Sequence, residues 1–145
     1  MKQIIIKLKG NPVGKASVRV GVGGGYNTAE TKAWMMYVAC EARKVAPEKP
    51  LEGPVKFEMT AMFQLPKKPK WRVKAAENGD VFPVVKPDID NIMKGVADGL
   101  SGIIWKDDNQ VVEASLKKVY SRTPGVEVVV TTIEEPKTYR EWKEW

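Results

Sequence analysis

Between Lys86 and Val112 the sequence KPDIDNIMKGVADGLSGIIWKDDNQVV gathers Asp88, Asp90, Asp98, Asp107 and Asp108 around Lys94. Carboxylates arriving from a helix start and from a later turn are what a hard cation such as Mg²⁺ needs. It takes oxygen ligands in near-octahedral geometry and keeps waters for a substrate phosphate. A lysine one turn from such ligands has the reach to stabilise charge developing on a scissile phosphate. The same residues carry a plainer reading: Asp88 as a helix N-cap, Lys94 as the ion-pair partner of Asp90 and Asp98, and Asp107-Asp108 as a solvated turn. Spacing alone leaves both readings open, because short acidic patterns also arise by chance.

These residues need elements to hold them. Pro87 biases Lys86 toward extended backbone, so a helix is expected to begin near Asp88 with carboxylates at its positive end. On that helix Ile89, Ile92, Met93, Val96 and Leu100 form one apolar stripe, and Asp90, Lys94 and Asp98 a polar row along its other edge. Gly99 and Gly102 are expected to supply the stop, and Trp105-Lys106-Asp107-Asp108-Asn109 a polar turn into the next apolar run.

The run Asp88-Ile89-Asp90-Asn91, then Lys94, then Asp98-Gly99-Leu100, then Trp105-Lys106-Asp107-Asp108-Asn109-Gln110-Val111-Val112 closely resembles the RusA family of Holliday junction resolvases. That family shows a D-[LI]-D-N helix start, a lysine one turn later and a W-x-D-D-x-Q-V block. Carried over by motif position, the resemblance implies metal ligands and catalytic acids at Asp88, Asp90 and Asp108, with Lys94 as the essential basic residue. Asp98 and Asp107 are then outer supports of the site, and Mg²⁺ the expected ion with Mn²⁺ as the alternative. More weakly, Gly10-Asn11-Pro12-Val13-Gly14-Lys15 resembles the family's G-x-P-x-x-K region, and Lys118-Val119-Tyr120 with Pro124-Gly125-Val126-Glu127 its closing hairpin. Many members carry histidine in the loop before the acidic helix. This chain has none, so no role passes on from it.

Composition narrows the classes. At 145 residues and 43% hydrophobic content the chain is expected to be one domain with a real core, 1–133, followed by a charged and aromatic tail, 134–145. Lys and Arg number 24 against 18 acids, a formal charge of +6 that suits a polyanionic partner. The lack of histidine excludes His-dependent catalysis and His-ligated zinc, and the single Cys40 excludes an intramolecular disulfide; Cys40 is expected in the core. No long apolar run would span a membrane, which makes a soluble cytoplasmic protein, cellular or phage-encoded, the expectation.

In chain order, Gln3 to Leu8 reads as a strand and Lys9 to Tyr26 as a glycine-rich loop, either one that brings Lys15 and Arg19 toward a phosphate backbone or simply a mobile connection, since no Gly-Lys-Ser/Thr ending makes it a P-loop. Asn27 with Glu30 reads as a capping box for a helix to about Lys44, buried through Trp34, Met35, Val38, Ala39, Ala42 and Val45. Val55 to Gln64 alternates as a half-buried strand. A long loop follows in which Lys67, Lys68, Lys70 and Arg72 surround Trp71, either a set that grips phosphates while the ring stacks on a base or a solvated basic loop with Trp71 tucked on the core. Val111 to Tyr120 and Val126 to Thr132 read as a strand pair joined through Thr123-Pro124-Gly125. The order β-α-β-α-β-β predicts an α+β domain with helices packed on a mixed sheet.

The leading expectation is a Mg²⁺-dependent, structure-selective endonuclease that resolves four-way DNA junctions. A homodimer is expected because symmetric cuts need two sites and the chain offers one acidic cluster; the tail or the first strand would form its interface. The alternatives are a non-catalytic nucleic-acid-binding module and the same metal chemistry on another branched or nucleotide substrate.

Overall fold

The computed structural model describes residues 2–15 and 28–145 in full, and the backbone alone of 19–21 and 24–26. The chain runs β1 (Gln3–Lys9), β2 (Arg19–Gly21), β3 (Gly24–Tyr26), α1 (Ala29–Val45), β4 (Val55–Gln64), α2 (Lys70–Glu77), α3 (Ile89–Leu100), a short 3-10 turn (Asp108–Gln110), β5 (Val111–Ser121), β6 (Gly125–Thr132) and α4 (Tyr139–Glu144). The main sheet has the order β1-β6-β4-β5 and is mixed, in an α+β domain: β4 pairs antiparallel with β6 and parallel with β5.

The core lies where the alternation of β4 meets the apolar faces of the helices. Val55, Phe57, Met59, Ala61 and Phe63 are buried on one face of β4, with Ile6 and Leu8 of β1 and Val126, Val128 and Val130 of β6 beside them. Over them lie Trp34, Val38 and Ala42 of α1 and Ile92, Val96 and Leu100 of α3. The stripe expected on α3 is thus the buried one, with Ile89 and Met93 partly covered at its margin. β4 and β5 run parallel, so the chain must cross back between them, and α3 makes that return.

Several expectations are corrected. The strands β5 and β6 are not a hairpin: β4 lies between them, so the 122–124 link steps over a strand. The stretch after Pro66 is not one long loop, because Lys70–Glu77 closes into α2 with Pro69 at its N-cap position. Gly99 does not stop α3 but packs inside it; a Cβ there would sit 2.6 Å from Val38 Cγ1, so it sets how closely α1 and α3 approach. Gly102, at φ +83°, follows the helix end in the left-handed region. Trp105 is not part of a polar turn. It is fully buried, edge-on to Phe57 at 6.0 Å between ring centroids. Cys40 and Val45, expected inward, are exposed on α1.

The cap expected at Asn27 lies outside the described residues. Thr28 is the N-cap, its hydroxyl accepting from the Thr31 N–H at 3.2 Å. The side chain of Arg19 and much of the glycine-rich loop are likewise outside the description. In the tail, Thr138 caps α4, leaving Tyr139, Trp142 and Trp145 exposed. Among the described residues no helix is long and apolar enough to cross a membrane.

Candidate active site

The start of α3 sits at the carboxyl end of the parallel pair β4-β5. Lys118 fixes it there. This residue, level with Ala61 in the ladder, donates from Nζ to the carbonyls of Val85 at 2.6 Å and Pro87 at 3.1 Å, with its ammonium 4.9 Å from the Phe63 ring centroid. A second clamp comes from the N-terminal segment. The Lys15 N–H donates to the Asn91 carbonyl at 2.9 Å. Gly14 lies so close that a Cβ would stand 2.6 Å from Pro87 Cβ, which gives the glycine of this segment a steric reason.

Asp88 occupies the N-cap position of α3 with extended backbone (φ −66°, ψ 148°), yet its exposed carboxylate makes no capping hydrogen bond among the described residues. A structural N-cap normally spends its oxygen on the second or third helical N–H. This one leaves it open at the positive end of the helix dipole. Asp90, in the first turn, is 65% exposed at its side chain, with Lys94 Nζ 3.8 Å from its Oδ2. That separation is a loose surface ion pair of small worth. Asp98 continues the row but faces another partner: it binds the Lys15 ammonium at 2.5 Å, both side chains being largely covered. Lys15 therefore ties the N-terminal segment to α3.

The basic set lies at the same end of the sheet. Lys67, Lys68, Lys70 and Trp71 are exposed, with Arg72 half-buried, around the first turn of α2, which directly follows the carboxyl end of β4. The first turn of α2 carries no acid, against the preference of the dipole, so these cations are not there to steady the helix.

At the other end of α3 the second acid pair is held differently. Asp107 caps the 3-10 turn, its Oδ1 accepting from the Asn109 N–H at 3.0 Å. Gln110 closes the capping box by accepting from the N–H groups of Lys106 and Asp107 at 2.8 and 3.0 Å, and donates to the carbonyls of Leu51 and Gly53, each at 2.9 Å. Asp108 Oδ1 accepts the indole N–H of buried Trp105 at 2.8 Å. Beside it, the hydrogen bond from Lys106 holds the Glu52 carboxyl below its usual range. Sequence reasoning missed Gln110 and Lys118, whose work is to hold backbone; for Gln110 the signal is the glutamine inside the W-x-D-D-x-Q-V block.

The three motif acids do not form one cluster in a single chain. Ser101, just after α3, and Leu51, just before β4, both bridge Trp105, so Asp108 stands near the amino end of the sheet while Asp88 and Asp90 stand at the carboxyl end. The intervening helix has 12 residues, a length of about 18 Å. Among the described residues no group of three acids or cysteines stands close enough to hold a metal ion. Asp88 and Asp90 offer the hard oxygen donors that Mg²⁺ prefers, but one chain alone does not supply a complete set.

A family model described as Endodeoxyribonuclease RusA matches residues 9–131. The chain is also similar to the uncharacterized protein YqaN of Bacillus subtilis (strain 168), 36% identical over 131 residues that cover 86% of this chain and 92% of the relative. The matched span takes in both clamps, α2, the open carboxylates of α3 and the Trp105–Gln110 turn, and on that extent the chain belongs to the RusA endodeoxyribonuclease family.

Proposed function

We propose that this protein is a Mg²⁺-dependent endonuclease that resolves four-way DNA junctions as a homodimer in the cytoplasm. The observation that carries the reading is the pair of open carboxylates at the start of α3, Asp88 and Asp90, with Lys94 one turn on and the basic surface of α2 at the same end of the sheet. Bound there, Mg²⁺, or Mn²⁺ in its place, would supply an electrophile for the phosphodiester and a nucleophile from its water. The chain's own residues do the rest. Lys67, Lys68, Lys70 and Arg72 neutralise backbone phosphates, and Trp71, 66% exposed, offers a face to an unpaired base. Asp88 and Asp90 provide negative charge on a frame held by Lys118 and Lys15. Lys94 is long and exposed enough to leave Asp90 for a phosphate whose charge grows in the transition state.

The loose Asp90–Lys94 pair is the one observation that favours a purely binding module, since an ion pair of this kind needs no reaction. Nicking of a labelled four-way junction with and without Mg²⁺ decides between them. The resolvase reading expects paired, Mg²⁺-dependent cuts on the junction and little on linear duplex. Tight binding with no cleavage in either metal would leave the binding module, and equal cutting of flaps would move the assignment to another branched substrate.

A further inference from the structure

The chain between α2 and α3 has few bonds of its own. Residues 81–87 form neither helix nor strand, and Pro83 alone among them is buried. At its two ends the Asp80 N–H is bonded to Ala75 of α2 and the Asp88 carbonyl to Ile92 of α3. Between them the segment makes two hydrogen bonds among the described residues, through the carbonyls of Val85 and Pro87, and both come from Lys118. The segment joins the basic surface of α2 to the open carboxylates of α3, so any slack in it reaches Asp88. Lys118 is an unusual residue for its place. It projects from the core face of β5, level with Ala61 of β4, with Leu116 and Tyr120 on the same face. It makes no ion pair among the described residues; its ammonium meets two neutral carbonyls and the Phe63 ring. A lysine can lay its stem along apolar surface and carry its head to the end of the sheet, and here the head serves the backbone before α3.

What the head fixes is the plane of one peptide. The Pro87 carbonyl and the Asp88 N–H belong to the same planar unit, so holding that oxygen sets the N–Cα bond about which the Asp88 side chain swings. An N-cap ordinarily sets its own direction by bonding a helical N–H, which Asp88 does not do. Its aim therefore comes from outside the helix. We propose that Lys118 is a positioning residue of the metal site: by pinning the carbonyls of Val85 and Pro87 it aims the Asp88 carboxylate, and so sets metal affinity without touching metal or DNA. Groups that orient a ligand in this way ordinarily change metal affinity about 10- to 100-fold when they are lost. The inference rests on the proposed nuclease function for the metal, while the pinning of 81–87 stands on the two hydrogen bonds themselves.

Two measurements test it. Lys118→Met keeps an unbranched stem on the core face and removes the donors, whereas Lys118→Arg keeps donors for both carbonyls. In junction cleavage titrated with Mg²⁺, the methionine variant should need about 10- to 100-fold more metal for half-maximal rate. Its rate at saturating Mg²⁺ should return close to wild type, and its junction affinity without metal should not change. The arginine variant should stay near the wild-type midpoint. A rate that no Mg²⁺ concentration restores, with the midpoint unmoved, would mean that Lys118 acts on the substrate directly and would overturn the positioning role; so would a methionine variant that cuts as wild type does at every Mg²⁺ concentration. The second measurement needs no activity. Elastase cuts after small apolar residues, so at a temperature where both proteins are folded it should clip the methionine variant after Val84 or Val85 faster than wild type, and the arginine variant no faster. Equal clipping of all three would overturn the pinning of the segment. A wild-type protein that cuts no junction would instead remove the proposed function, and the clipping rates would still decide whether Lys118 holds 81–87.

Discussion

The two ends of α3 carry the same chemistry and use it in opposite ways. At one end Asp107 and Asp108 each accept a hydrogen bond, one from the turn's own backbone and one from a buried indole, and Gln110 locks the same turn to the approach to β4. At the other end, among the described residues, Asp88 caps by position without capping by contact, and Asp90 reaches only a lysine that solvent also reaches. Residue type is shared, so what separates a structural carboxylate from an available one is the bond it already makes. An open anion next to another anion gains little stability, which makes its presence at a helix start a better sign of a ligand than spacing alone.

The largest effect expected on the structural end is that of Trp105→Ala. Removing a fully buried indole that packs on Phe57 should cost about 3–5 kcal/mol, and it leaves Asp108 without its donor. Chemical denaturation would measure it; a loss under about 1 kcal/mol would mean that this turn is not anchored to the core. On the open end the expected effect is on rate alone. Asp90→Asn should lower junction cleavage about 100- to 1,000-fold, the scale for removing one electrostatic interaction with a transition state. Its melting temperature should stay close to wild type, because a 65%-exposed side chain in a loose pair holds nothing. If the stability fell and the cleavage did not, the two ends would be alike after all.

Much of this contrast was legible in the chain and some was not. The α3 stripe and the β4 alternation follow from local periodicity, so their buried faces were readable before any packing was known. Strand order was not, because β5 and β6 are consecutive and joined by a turn-like Thr123-Pro124-Gly125, yet β4 separates them; neighbours in a sheet are chosen by burial of faces, not by the link. Trp105 and Cys40 exchanged their expected places for a related reason. A tryptophan amid polar residues can enter the core when its N–H finds a partner such as Asp108, and a cysteine on the helix face opposite Val38 and Ala42 cannot. The candidate acids are singled out by motif, but which of them are already bonded, and that Asp108 stands a helix length from Asp88, depends on tertiary placement.

Smaller effects sharpen the same comparison. Gly99→Ala should cost about 1–3 kcal/mol by overpacking, since its Cβ would meet Val38 at 2.6 Å, and cleavage should fall only as far as α3 shifts. Differential scanning calorimetry beside a cleavage assay separates the two. The double variant Lys70→Ala/Arg72→Ala should reduce the slope of log affinity against log salt by about 0.9 for each phosphate that is no longer neutralised. An unchanged slope would take α2 off the DNA surface.

The most direct comparison sets one aspartate against another in the same nominal position. Asp88 and Asp107 are both N-caps, of α3 and of the 3-10 turn. Asp107→Ala removes an acceptor that holds the Asn109 N–H, so it should cost about 1 kcal/mol of stability. Asp88→Ala removes no capping bond, so the same substitution should change stability by only about a few tenths of a kcal/mol, the residual attraction of an anion to the helix dipole. Activity should invert the order: the alanine at 88 abolishes cleavage and the alanine at 107 leaves most of it. Equal stability losses at the two positions would mean that Asp88 caps α3 in solution, its carboxylate held by backbone N–H groups just as that of Asp107 is and no longer open to a metal ion.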